Sequence, residues 1–235
     1  MAFVPEGRSG MTREHAFHLQ LLGVERTAQE DGAQGLTLHT SRGAIDSRLH
    51  EPPGGTGTAG IVWVFGAGGG LGGPAGGMYT RLATQLAPQG VTSLRLDYRR
   101  PGELAECVLD VLLGAAFLEA LGVARLVLVG HSFGGAVVIA AGGSSAVVVG
   151  VAALSSQTYG ADAVGNLSPR ALLLLHGMAD EVLPDTCSRL LYKQAREPKE
   201  LRLYPGCRHG LDECREDVDR DLLEWLRRTL ALPAA

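Results

Sequence analysis

The residues that most restrict the fold are 126–135, Leu-Val-Leu-Val-Gly-His-Ser-Phe-Gly-Gly. Residues 126–129 are continuously apolar and read as a buried strand. The chain then passes through Gly130-His131-Ser132-Phe133-Gly134 and enters the small-residue run 136–141, which reads as a closely packed helix. A serine at so sharp a strand-to-helix turn is forced outward, with its hydroxyl presented at the end of the sheet. Gly130 and Gly134 have no Cβ to clash across the turn. Ser132 is therefore a candidate nucleophile, and the chain around it should alternate strands with helices.

The rest of the sequence keeps that rhythm. Residues 35–40 and 44–50 read as a hairpin around Ser41-Arg42-Gly43. Strands are expected at 60–65, 91–97, 125–129, 146–154, 171–175 and 200–204. Helices are expected at 78–87, 103–121, 186–196 and 217–230, the second ended by Gly122. This order predicts an α/β fold: a mostly parallel central sheet flanked by helices on both faces. No repeat or linker divides it. Residues 1–35 are polar and read as a flexible N-terminal arm with a short helix near 15–22, leaving 36–235 as the folded domain. His15 and His18, three apart, are expected to be surface histidines, because no third ligand accompanies them.

The whole chain narrows the function. At 235 residues it suits one α/β domain with a sizeable core. Its net charge of −4, with both signs interspersed, is not a nucleic-acid footprint. No apolar run approaches the roughly 18 residues of a membrane helix. The first ten residues lack the apolar stretch of a signal peptide, so a cytoplasmic protein without membrane partners is expected. Cys107, Cys187, Cys207 and Cys214 show no metal-ligand spacing, and no metal is implied. Cys207 and Cys214 stand close in sequence, but a reducing compartment predicts free thiols.

A serine hydroxyl needs a base within hydrogen-bond reach, and that base needs an orienting carboxylate. In an open α/β sheet such groups sit in loops after the carboxyl ends of later strands. The strand at 171–175 runs into His176-Gly177-Met178-Ala179-Asp180, and the strand at 200–204 runs into Pro205-Gly206-Cys207-Arg208-His209. Ser132, Asp180 and His209 thus each follow their own strand, in the order this architecture requires. Glu181 and Asp185 lie further from the strand end than Asp180. His176 is expected to brace its loop, His131 to point away from the substrate, and Asp97 to pair with Arg99 or Arg100 or to cap its loop.

On the elbow 130–134, the acid loop 176–180 and the segment Arg208-His209-Gly210, residues 36–232 resemble the α/β-hydrolases. Within that superfamily the chain is most similar to compact, capless esterases and dienelactone-hydrolase-like proteins. The resemblance implies a catalytic triad of Ser132, His209 and Asp180. It also implies an oxyanion hole from the backbone N–H of Phe133 and one N–H after Phe65. Ala67 is the donor by position, with Gly66 and Gly68 as alternatives. Two departures are visible. Similar dienelactone hydrolases usually carry Cys where this chain has Ser132, and many relatives have His-Gly where it has Phe65-Gly66.

The loop 66–77 contains eight glycines. Gly68 to Gly73 satisfies the dinucleotide pattern G-x-G-x-x-G, with Asp97 ending the next strand as a ribose-binding acid would. Against an oxidoreductase stand Pro74 and a regular helix that begins only near Met78, too far back to meet a phosphate. As an oxyanion loop the glycines let backbone N–H groups approach a tetrahedral centre unobstructed. About fifteen residues separate the strands at 146–154 and 171–175, too few for a cap domain. The expected function is therefore a carboxylesterase-like serine hydrolase that cleaves a small ester or thioester through an acyl-enzyme, without a cofactor. Gly66, Gly68, Met78 and Tyr79, with Phe133, Tyr159 and Leu183, are expected at the substrate rim. A hydrolase-fold protein that binds a ligand or partner without turnover is the alternative. Peptide cleavage and perhydrolysis stay open, and the sequence does not define an oligomeric state.

Overall fold

A computed structural model of the protein describes residues 18–30 and 32–233. Nine strands form one sheet in the order β1-β2-β3-β5-β4-β6-β7-β8-β9. Strands β1 (Leu21–Glu30), β2 (Ala33–Thr40) and β3 (Gly43–His50) make an antiparallel meander that joins β5 (Val91–Leu96) antiparallel. From β5 onward all pairs are parallel: β4 (Ala59–Val64), β6 (Arg125–His131), β7 (Val148–Leu154), β8 (Ala171–Gly177) and β9 (Lys199–Tyr204). Among the described residues, five α-helices cover the two faces: α1 (Pro74–Leu86), α2 (Leu104–Ala120), α3 (Phe133–Gly142), α4 (Thr186–Gln194) and α5 (Arg215–Leu230). Among the described residues, no helix is long and apolar enough to cross a membrane.

Period-two alternation along buried strands builds the two halves of the core. Ile61 and Trp63 of β4, Val127 and Val129 of β6, and Leu173 and Leu175 of β8 pack with residues of α1 and α5. Val62 and Val64, Leu126 and Leu128, and Leu172 and Leu174 pack with residues of α2 and α3 on the opposite face. Both faces of these strands are covered, so they read as unbroken apolar runs rather than as polar–apolar alternation.

One expectation changes. Where a loose arm with a helix near 15–22 was expected, β1 runs from Leu21 to Glu30 and β2 begins at Ala33. The sequence carries no sign of β1 because almost every residue in it is exposed, so neither face had to be apolar. His15 lies outside the described residues. Helix α1 is longer on paper than in geometry: Ala75, Gly76 and Gly77 have φ of 49°, 63° and 81°, and the regular helix starts at Met78 as expected. Between Leu154 and Ala171 there is only a short 3-10 turn at Asp162–Asn166, so no cap domain intervenes.

Candidate active site

The parallel register brings the strand ends together. Val64 of β4 lies beside Leu96 of β5 and Gly130 of β6; Leu154 of β7 lies beside His131 and Leu175; Gly177 of β8 lies beside Tyr204. Every loop that follows one of these residues opens at the same edge of the sheet.

At the end of β6 the chain turns on Ser132, which holds φ 57° and ψ −120°, a conformation that a residue with a Cβ rarely adopts. Its N–H donates to Leu154 C=O at 2.8 Å. The flanking glycines are fixed by close approach. A Cβ on Gly130 would stand 2.1 Å from Gly134 O, and one on Gly134 would stand 2.2 Å from Phe65 O. The second contact presses the start of α3 onto the end of β4.

The loops after β8 and β9 are stitched to each other. Met178 N–H donates to Tyr204 C=O at 2.9 Å, and Ala179 N–H to Cys207 C=O at 2.9 Å. Asp180 is thereby carried to His209. His209 Nδ1–H donates to Asp180 Oδ2 at 2.7 Å, and Ser132 Oγ–H faces His209 Nε2 at 3.0 Å. The Asp180 side chain is fully buried and that of His209 is one-fifth exposed. Burial by itself would raise the Asp180 pKa. The Leu183 and Val182 N–H groups on Oδ1, both at 2.8 Å, and the His209 hydrogen bond outweigh that effect and hold the carboxyl below its ordinary value. Asp180 is therefore an anion at neutral pH. It takes the Nδ1–H tautomer of His209 and leaves the Nε2 lone pair toward Ser132.

The competing groups are elsewhere. Glu181 is exposed and faces Arg208 at 3.7 Å, and Asp185 pairs with Arg189 at 2.9 Å. His176 braces the acid loop: its Nδ1 lies 2.7 Å from Ser188 Oγ, and its Nε2 lies 2.9 Å from Leu183 O and 3.2 Å from Asp180 Oδ2.

The backbone N–H groups of Phe133 and Ala67 donate to no acceptor among the described residues. A Cβ on Gly66 would lie 3.6 Å from Ser132 Cβ and 3.9 Å from its Oγ, whereas Gly68 faces open space. The rim differs from expectation. Met78 and Tyr79 are completely buried, Tyr79 donating its hydroxyl to Val64 C=O at 2.9 Å and packing against Trp63. They belong to the core, because the face of α1 that carries them is the face docked on the sheet. Leu183 is half-buried, and its backbone N–H and C=O are engaged in the acid loop. Tyr159 is exposed, and Phe133 is buried with its ring edge-on to Tyr98.

Two features were not foreseen. Cys207 and Cys214 form a disulfide that closes the loop bearing His209, in place of the free thiols expected of a reducing compartment. His131 faces His209, whose backbone oxygen lies 2.8 Å from His131 Nε2, with the two ring centroids 4.9 Å apart. The elbow's variable position held the only sequence signal for this contact. Among the described residues, no group of three or more His, Cys, Asp or Glu side chains is arranged to hold a metal ion.

The protein has the α/β-hydrolase fold, as one α/β domain without a cap. No family model matches the sequence. The esterase domain of a Rhodothermus marinus protein superposes with a TM-score of 0.68 at 21% identity, over 89% of this chain and 100% of that one. A dienelactone hydrolase from Anabaena variabilis superposes with a TM-score of 0.67 at 17% identity, over 85% of this chain and 99% of that one. In sequence, the uncharacterized protein YfhR of Escherichia coli O157:H7 is 34% identical over 108 residues, 36% of this chain. That match spans 38% of YfhR, well under half its length.

Proposed function

We propose that the protein is a serine hydrolase that cleaves a small ester or thioester through an acyl-enzyme. The observation that carries this reading is the continuous hydrogen-bond chain from Ser132 Oγ through His209 to Asp180, with Ser132 on a strained turn. Ser132 Oγ attacks the substrate carbonyl while His209 Nε2 takes its proton. Asp180 holds the tautomer and stabilises the imidazolium that forms. The N–H groups of Phe133 and Ala67 receive the negative charge that develops on the carbonyl oxygen. Collapse of the tetrahedral species passes the proton from His209 to the departing alcohol or thiol. Water, deprotonated by His209, then attacks the acyl-Ser132 ester and restores the free hydroxyl.

A small substrate follows from the open edge of the sheet. No cap lies between β7 and β8, and Met78 and Tyr79 are withdrawn into the core. An acyl chain gains roughly 0.8 kcal/mol per methylene only where the methylene is buried. The names of the structural neighbours, an esterase domain and a dienelactone hydrolase, agree with ester cleavage. The test is covalent labelling by a fluorophosphonate together with a panel of ester, thioester and peptide substrates, with Ser132→Ala as the blank. Labelling and turnover that vanish in the variant support the reading. A protein that binds such compounds without labelling or turnover is a ligand-binding member of the fold.

A further inference from the structure

We propose that Asp97 is a positioning residue that sets the oxyanion donor of the glycine-rich turn, an inference that rests on the hydrolase reading above. Asp97 follows the last residue of β5, and β5 pairs with β4 so that Leu96 lies beside Val64. The loop after β5 therefore stands against the loop after β4. One carboxylate oxygen, Asp97 Oδ1, accepts the Gly70 N–H at 2.7 Å and the Tyr98 N–H at 2.8 Å. Within the loop, Gly69 N–H donates to Gly66 C=O at 3.0 Å, closing a turn over residues 66–69. Gly69 has φ 71°, and a Cβ on it would stand 2.6 Å from Asp97 Oδ1. The carboxylate thus occupies the space that a side chain would need.

The other end of the turn is tied to the neighbouring residue. Tyr98 Oη–H faces Phe65 C=O at 3.3 Å, and burial keeps that phenol protonated as a donor. The same ring stands edge-on to Phe133, whose N–H is the other oxyanion donor. Asp97 and Tyr98 therefore hold residues 65 and 70, on either side of the unengaged Ala67 N–H. The anchor is itself fixed. Arg99 is buried and paired with Asp110 and Glu106, and its N–H donates to Asp110 Oδ2 at 2.9 Å. The acid that a dinucleotide reading would assign to a ribose is committed to the chain's own loop.

An oxyanion donor acts on charge that exists only in the transition state, and a misplacement of about 1 Å is costly. Loosening this turn should lower the rate of the covalent step and leave initial binding nearly unchanged. The experiment measures phosphonylation of Ser132 by a fluorophosphonate across concentrations, in wild type, Asp97→Ala and Asp97→Asn. Hydrogen exchange over residues 66–73 and thermal melts accompany it. Asn keeps an oxygen for Gly70 N–H, whereas Ala keeps none. The expected result is a maximal rate about tenfold or more lower in Asp97→Ala, a half-saturation concentration within about threefold, faster exchange at 66–73, and recovery of most of the rate in Asp97→Asn. Wild-type rate in Asp97→Ala overturns the inference alone. So do equal losses in both variants that follow their melting temperatures. A wild-type chain that never labels overturns the hydrolase reading and this inference together.

Discussion

His131 Nε2 lies 2.8 Å from the backbone oxygen of His209, so the residue before the elbow serine buttresses the loop that carries the opposing imidazole. The His131 ring is buried and stacks on Phe65, with centroids 5.2 Å apart. Burial pushes its pKa down to about 4, which keeps the ring neutral and its single N–H on the His209 carbonyl. His50, buried beside Arg95, is likewise lowered to about 4 by burial and by that guanidinium.

Acid stability should report these two histidines. The unfolded chain protonates them near 6.5 and the folded chain near 4, so between those values the unfolded state binds more protons. Stability then rises with pH across that window and levels off below about pH 4. A shift of this size corresponds to roughly 3 kcal/mol for His131. Thermal melts from pH 4 to 7 should show the slope, and His131→Gln should flatten it while lowering the melting temperature at pH 7. A slope unchanged in the variant would mean that His131 is not the group titrating.

Under the proposed function, Ser132→Ala should abolish acyl transfer, with kcat down on the order of 10³-fold or more, because the members of such a triad act as a unit. The fold should not suffer, since the hydroxyl packs against no core. Ser132→Gly should melt at a higher temperature than Ser132→Ala, because glycine relieves the backbone strain at φ 57°. Steady-state assays and paired melts check both statements.

Asp180→Asn should reduce kcat by on the order of 10³- to 10⁴-fold with the fold retained. Asn still offers an oxygen to the Val182 and Leu183 N–H groups, but its amide donates where His209 Nδ1–H must donate, and the tautomer is lost. Glu181→Gln should be silent, since that side chain is exposed and faces only Arg208. If the two variants exchange these effects, the acid has been misassigned. The stabilisation from the lowered Asp180 pKa is present above the ordinary carboxylate range and is lost as pH falls through the folded value, below the histidine window.

Reducing the Cys207–Cys214 bond should loosen the segment that holds His209. Closing so short a loop stabilises a fold by roughly 2–3 kcal/mol in the chain-entropy account. The double variant Cys207→Ser with Cys214→Ser should therefore melt earlier and lose kcat more than it raises KM. The bonds from Ala179 N–H to Cys207 C=O and from Ala75 N–H to Gly210 C=O remain available, so the fold should persist. Identical kinetics with and without reductant would show that those backbone bonds alone hold the loop.

The sequence by itself determined the elbow, the alternation of strands and helices, and the three strand ends that carry Ser132, Asp180 and His209. These were legible because buried parallel strands must be apolar on both faces, and because parallel strands bring every following loop to one edge. Tertiary structure alone decided four matters. Strand β1 has both faces exposed, so its pairing with β2 left no pattern to read. Met78 and Tyr79 were expected at the rim and are core residues, because α1 docks on the sheet through the face that carries them. His131 sits where the elbow sets the direction of its ring, and that direction meets another loop 78 residues away in the chain. Cys207 and Cys214 are paired by the turn between them, which sequence spacing does not specify. Local pattern encodes which residues are buried and where strands stop; which side chain faces which neighbour across the chain is set only when the elements pack.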